Sequence, residues 1–173
     1  FRRYVLLLPP LAPGGWILTA QGLFNYSKVR RPGGKPFVDG RHEIVFNQCK
    51  LARFTGDGGR FEALTAGPNN IWGLTVSRVG ETWLQEANDL GYPIIPYQPG
   101  GYYRTGSQEK LRDYQPLMPP PLDPPQMGGT GLSGLALADD TDGWPVPWGA
   151  NGAAAGAARI FYVANPITSR IQM

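Results

Sequence analysis

Residues 69–92 read NNIWGLTVSRVGETWLQEANDLGY, and this stretch decides the fold class. Two short apolar segments, 71–76 and 82–85, flank a polar turn that contains Gly80. Short apolar runs on either side of a glycine-containing turn are typical of a β-hairpin. A polar cluster, EAND at 86–89, follows the second segment. The stretch therefore predicts a hairpin with carboxylates at its exit.

The same pattern recurs elsewhere in the chain. The segments LSGLAL and RIFYVA, at 132–137 and 159–164, predict a second pair of strands. Further strands are predicted at four segments that the sequence separates with turns: 4–8, 16–20, 43–54 and 61–64. Asp57-Gly58 lies between the last two and favours a tight turn, because both residues tolerate a positive φ. Repeated hairpins predict an all-β fold, either a β-propeller or a β-sandwich.

Composition supports a turn-rich, single-domain chain. The 173 residues include 24 glycines and 18 prolines, which argues against long helices. No apolar run approaches the ~20 residues that a membrane-spanning helix needs, so no transmembrane segment is predicted. Residues 93–130 are rich in proline and tyrosine and predict a long, ordered loop insertion within the domain 1–173. Residues 25–41 predict a second, basic loop. We expect the chain to be part of a longer protein.

The net charge of +3 is unevenly distributed. Residues 1–53 carry nine basic and two acidic residues, which gives +7, and residues 54–173 carry seven and eleven, which gives −4. The basic residues are scattered through predicted loops without interleaved aromatic residues. This distribution predicts no nucleic-acid partner, because such interfaces use a clustered basic face.

Two residue types that often carry chemistry occur once each, as Cys49 and His42. A single cysteine excludes an internal disulfide, a cysteine-based metal site and a c-type haem motif within the chain. The segment around Cys49 alternates like a strand, which predicts that Cys49 is a buried residue rather than a reactive thiol. His42 could act as a general base, but its position in a basic loop predicts a surface residue.

Polar residues at the ends of predicted strands are the candidate site. Glu86, Asn88 and Asp89 supply oxygens of the kind that Ca²⁺ prefers, and Asn69-Asn70 precede a strand. For the residues at 86–89 the alternative is turn capping, in which their side chains accept hydrogen bonds from nearby backbone N–H groups. For Asn69-Asn70 the alternative is a turn with left-handed backbone geometry. The glycine-rich segment 128–131 could hold an anion or form a tight turn, and Asp139, Asp140 and Asp142 could hold Ca²⁺ or form a solvated acidic turn. Tryptophans could stack on a sugar ring. Trp72 and Trp83 lie in predicted strands and are expected in the core, whereas Trp144 and Trp148 lie in a loop and are the better candidates.

The order of these motifs resembles a known family. GPNNIWGL at 67–74, GETWLQEAND at 80–89, GLSGLA at 131–136 and FYVAN at 161–165 resemble the glucose/sorbosone dehydrogenase-type β-propeller of bacterial membrane-bound dehydrogenases. The resemblance spans 16–173 and implies about two to three four-stranded antiparallel blades of a larger propeller.

The resemblance also implies a function. It implies a periplasmic or secreted oxidoreductase that acts on a sugar or polyol, with pyrroloquinoline quinone and Ca²⁺ as cofactors and haem c only on a separate domain of the full-length protein. Asn69, Asn70, Glu86 and Asn88 would then bind the cofactor, and Glu86 and Asp89 the metal. The catalytic residues are not assigned, because Asn69 stands where the family has arginine and His42 is the only histidine. The alternative is a non-catalytic propeller that binds a carbohydrate or a protein partner.

Overall fold

The computed structural model describes residues 11–12, 14–22, 25–68, 70–77, 79–87, 93–103, 111, 114, 131–138 and 160–172. These residues form an all-β structure without an α-helix, as the sequence predicts. Twelve strands within these described residues form four antiparallel sheets. In spatial order, the strands of the first sheet are β1 (Leu11–Ala12), β2 (Trp16–Gln21), β5 (Lys50–Thr55) and β6 (Phe61–Ala63), and those of the second are β3 (Tyr26–Val29) and β4 (Ile44–Asn47). The third sheet contains β7 (Ile71–Val76), β8 (Thr82–Glu86) and β9 (Ile94–Pro96), and the fourth contains β10 (Ser133–Ala138), β11 (Ile160–Asn165) and β12 (Arg170–Gln172).

The four-stranded sheet is built around β5, whose two faces are both buried. Ala52 and Phe54 lie on one face and Leu51 on the other, because side chains alternate along a strand. β5 pairs with β2 along its full length and with β6 through the predicted turn at 55–59. In that turn Gly58 has φ 67° and the Gly59 N–H donates to Asp57 Oδ1 at 2.9 Å. The predicted Asp57-Gly58 turn is confirmed.

The segment 43–54, predicted as one strand, is two strands in different sheets. β4 ends at Asn47 and β5 begins at Lys50. Between them Gln48 has φ 56°, a left-handed conformation that ends the extended run. The prediction of a loop at 25–41 is also wrong in part, because Tyr26–Val29 form β3 and pair with β4. The β3–β4 hairpin is therefore a separate two-stranded sheet and does not continue the four-stranded one.

The hairpin at 69–92 forms as predicted. β7 pairs with β8, and the Ser77 N–H closes the turn by donating to the Glu81 carbonyl at 2.8 Å. The second predicted pair, β10 with β11, also forms, and β12 adds to the other side of β11. β9 lies within the predicted 93–130 insertion and adds to β8.

Three apolar clusters fill the described part of the chain. Cluster 1 lies between the four-stranded sheet and the β3–β4 hairpin and contains Phe37, Ile44, Ala52 and Phe61. Cluster 2 joins the last two sheets through Ile94, Leu132 and Val163. Cluster 3 joins β5 to the β7–β8 hairpin through Leu51, Ile71 and Leu84. The sheets therefore share a continuous series of buried contacts.

Gly73 allows β10 to lie directly against β7. A Cβ at this position would lie 2.7 Å from Gln85 Cβ and 2.8 Å from Leu135 Cβ. Real carbon atoms do not pack that closely, so the contact needs a residue without a side chain. Trp72, its neighbour, was expected in the core and is 37% exposed, because alternation places it on the opposite face of the strand.

Candidate functional site

The structure brings together two of the predicted site residues, Asn70 and Glu86. Ile71 is the register partner of Glu86, and the Ala87 N–H donates to the Asn70 carbonyl at 3.1 Å. Asn70 has φ 49°, which confirms the predicted left-handed turn. Its side-chain oxygen lies close to Gly22, at the end of β2. This end of the β7–β8 hairpin therefore meets the end of the four-stranded sheet.

Glu86 lies in the interior of the protein. Only 2% of its surface is exposed, and its backbone N–H donates to the Pro93 carbonyl at 2.9 Å. Gln85, the preceding residue, is fully buried and donates from Nε2 to the Glu86 carbonyl. A substrate in solution has no direct access to a carboxylate in this position.

Cys49 lies next to the same pair and is fully buried, as predicted. The Asn70 N–H points at Cys49 Sγ at 2.9 Å. Burial raises the pKa of the Cys49 thiol, and the charge of Glu86 adds to this rise, whereas two backbone N–H groups and Lys50 lower it. The net rise keeps the thiol protonated and unreactive at neutral pH.

The predicted cofactor and metal site lies only partly within the described residues. Asn70 and Glu86 are described, whereas Asn69, Asn88 and Asp89 lie outside the described residues. Within the described ranges, no group of three or more His, Cys, Asp or Glu residues could hold a metal ion. The predicted Ca²⁺ and quinone site therefore stays a prediction.

A cavity lies on the opposite face of β5. It has a volume of about 330 Å³ and lies between the four-stranded sheet and the β3–β4 hairpin. One wall is apolar and includes Phe46 and Phe61, whose rings stack with centroids 5.7 Å apart and an interplanar angle of 22°. Phe37, Phe54 and Ala52 continue this wall. The volume lies within the range of small-molecule sites, about 300–1,000 Å³.

Cationic residues also line the cavity. They are Lys28, Arg30, Arg31 and Lys50, the last on the same face of β5 as Ala52 and Phe54. Lys50 is almost fully buried, and its Nζ donates to the Asn47 carbonyl at 2.8 Å. That bond is possible because Gln48 turns the chain back between the two residues. A cation that is held in place beside aromatic rings is characteristic of a binding site.

A hydrogen-bond network fixes the strands that carry this cavity. Gln21 Nε2 donates to the carbonyls of Gln48 at 2.7 Å and Asn25 at 3.1 Å, and the Ser27 hydroxyl donates to Gln21 Oε1. The Gln48 N–H donates to the Asn25 carbonyl at 2.8 Å. Gln21 therefore ties the β3–β4 hairpin to β2. This site could not be predicted from the sequence, because its residues come from separate segments and form no local motif.

The remaining predicted candidates contribute little in the described structure. His42 is exposed, as predicted, with its ring Nδ1 3.2 Å from the Gly34 carbonyl. The turn at 128–130, the acidic turn with Asp139, Asp140 and Asp142, and Trp144 and Trp148 lie outside the described residues. Within the described part of the chain, no helix is long and apolar enough to cross a membrane.

No protein-family model, curated protein or solved structure matches this chain. The resemblance to the glucose/sorbosone dehydrogenase-type propeller therefore stays a prediction, and so does the export of the protein that it implies.

Proposed function

We propose that this chain is a non-catalytic β-sheet module that holds a small ligand in the cavity between the four-stranded sheet and the β3–β4 hairpin. The cavity itself carries the proposal. The space of about 330 Å³ beside cluster 1 is partly open to solvent and lies within the range of small-molecule sites, about 300–1,000 Å³. The proposal keeps the binding function that the sequence left open and assigns it to a different site.

A fragment screen followed by two-dimensional NMR tests this proposal. A ligand in the cavity should shift the amide signals of Phe46, Ala52 and Phe61, which line it. Leu84 and Val163, which belong to clusters 2 and 3, serve as internal controls and should stay unchanged. A screen in which no fragment shifts the cavity signals, or in which all five signals shift together, would contradict the proposal.

A second candidate function is the sugar or polyol dehydrogenase of an exported propeller protein. Two observations favour it: Asn70 and Glu86 meet at one strand end, and the last two sheets are three-stranded, antiparallel and packed against each other. In such a protein these sheets would be blades, and a c-type haem domain of the full-length protein would be the electron-transfer partner.

Calorimetric titration with pyrroloquinoline quinone, with and without Ca²⁺, tests this second candidate. The dehydrogenase proposal expects calcium-dependent binding that Glu86→Gln removes and Glu81→Gln, in the exposed turn at the other end of the hairpin, retains. Absence of binding in the unsubstituted protein would remove the candidate.

A further inference from the structure

The cavity has two regions that differ in chemistry. Its apolar lining includes the stacked pair Phe46 and Phe61 and the small side chain of Ala52. Its rim carries Lys28 and Arg30, whose side chains are 46% and 65% exposed. A ligand that fills this space has to present an apolar body to the first region and a polar group to the second.

The charged residues that line the cavity are all cationic, and among the described residues no carboxylate lines it. Glu43 and Asp57 lie near some of these cations without lining the cavity. Glu43 pairs with Lys28 and Arg30. Asp57 is held mainly by hydrogen bonds from Thr55 and Gly59, and Arg31 acts on it only through its charge. A cavity whose described lining carries cations and no carboxylate favours an anion.

Arg31 has donors available for that anion. Its Nη1 donates to the Pro36 carbonyl at 2.8 Å, and this bond orients the guanidinium at the cavity. A guanidinium has five N–H donors in a planar fork that matches the two oxygens of a carboxylate. One bond to a backbone carbonyl therefore leaves the fork able to bind a carboxylate.

We propose, on the basis of the ligand-binding function proposed above, that the cavity takes an amphipathic carboxylate, with its alkyl body against the phenylalanine rings and its carboxylate against Arg31. A neutral sugar fits less well, because its hydroxyl groups would lose hydrogen bonds to water against the apolar wall. A bare inorganic anion would leave that wall without a contact. A medium-length carboxylate satisfies both regions at once.

Decanoate and decan-1-ol are the probes, since they share one alkyl chain and differ in the charged group. Calorimetric titration of the full chain should show saturable binding of decanoate at one site. We expect decan-1-ol to bind at least about tenfold more weakly, because hydrogen bonds to a charged group stabilise a complex more than neutral ones do. Arg31→Gln should weaken decanoate at least about tenfold and leave decan-1-ol unchanged, and Arg31→Lys should restore part of the loss.

Arg60→Gln is the matched control, because Arg60 is exposed and does not line the cavity. It should bind decanoate as the unsubstituted protein does. Circular dichroism of each variant checks that it is folded, and the titration with decan-1-ol reports whether the cavity is intact.

The possible outcomes separate this inference from the function on which it rests. Equal binding of decanoate and decan-1-ol, or equal loss in Arg31→Gln and Arg60→Gln, would overturn the carboxylate inference and leave the cavity a ligand site. Absence of binding by either probe would overturn the inference, and the fragment screen would then decide the ligand-binding function by itself.

Discussion

The substitution Tyr103→Phe should lower the unfolding free energy at neutral pH and raise it at strongly alkaline pH. Tyr103 is 6% exposed, its hydroxyl donates to the Pro96 carbonyl at 3.0 Å, and it accepts from the Gln98 N–H at 3.2 Å. Burial raises the pKa of Tyr103 from 10.0 to about 12. The buried hydroxyl is therefore favourable while it is neutral and unfavourable once it ionises.

The size of the effect follows from these contacts. Below pH 10 the two hydrogen bonds should make the tyrosine protein more stable than Tyr103→Phe by about 2 kcal/mol, at about 1 kcal/mol for each bond. The folded pKa lies above the unfolded one, so this contribution is complete below pH 10 and falls as the pH rises towards 12. A rise of two pKa units corresponds to about 3 kcal/mol, so the order of stability should reverse between about pH 11 and 12.

Urea unfolding of both proteins at several pH values between 8 and about 12 measures this difference, since ionisation of the other groups affects both proteins alike. Tyr114→Phe is the control, because Tyr114 is 98% exposed. It should change the unfolding free energy by less than about 0.5 kcal/mol throughout. A constant difference between Tyr103→Phe and the unsubstituted protein would refute the reasoning.

Three further predictions concern packing and burial. Leu84→Ala should lower the unfolding free energy by about 2–5 kcal/mol, since Leu84 is fully buried in cluster 3, and a loss below 1 kcal/mol in urea titration would argue against that cluster. Gly73→Ala should cost about 1–3 kcal/mol in the same assay, because its Cβ would overlap Gln85 and Leu135; an unchanged midpoint would contradict the close contact of β7 and β10. Cys49 should react with Ellman's reagent in urea but not in the native protein at neutral pH, and rapid native reaction would show that the thiol is accessible.

The hairpins of this fold could be predicted because their signals are local. The alternation at 71–76 and 82–86, the turn between them and the Asp57-Gly58 turn all lie within short windows of sequence. The left-handed turn at Asn70 was also predictable, since asparagine tolerates that conformation. The grouping of strands into sheets depends on contacts between distant segments, and the arrangement of the sheets as propeller blades stays a prediction.

The candidate site was less predictable than the fold. The oxygen-bearing side chains at 86–89 give no sign in the sequence that Glu86 is only 2% exposed. The burial of Glu86 depends on residues that are distant in sequence, from β5 and from 93–103. The cavity combines residues from five strands and two loops, and no motif marks it in the sequence. The break at Gln48 was missed for a related reason: a glutamine with positive φ carries no sequence signal comparable to that of a glycine.

The left-handed Gln48 is a backbone position through which the proposed binding site can be gained or lost. Because Gln48 has φ 56°, β4 turns away from the plane of β5 and covers the phenylalanine side chains that line the cavity. A β-branched residue there is strained in this conformation and favours the extended one, which would continue β4 into β5 and uncover the wall. If the cavity binds a ligand as proposed, related chains can differ in ligand binding through Gln48, which does not line the cavity, and a comparison restricted to lining residues would not detect the difference.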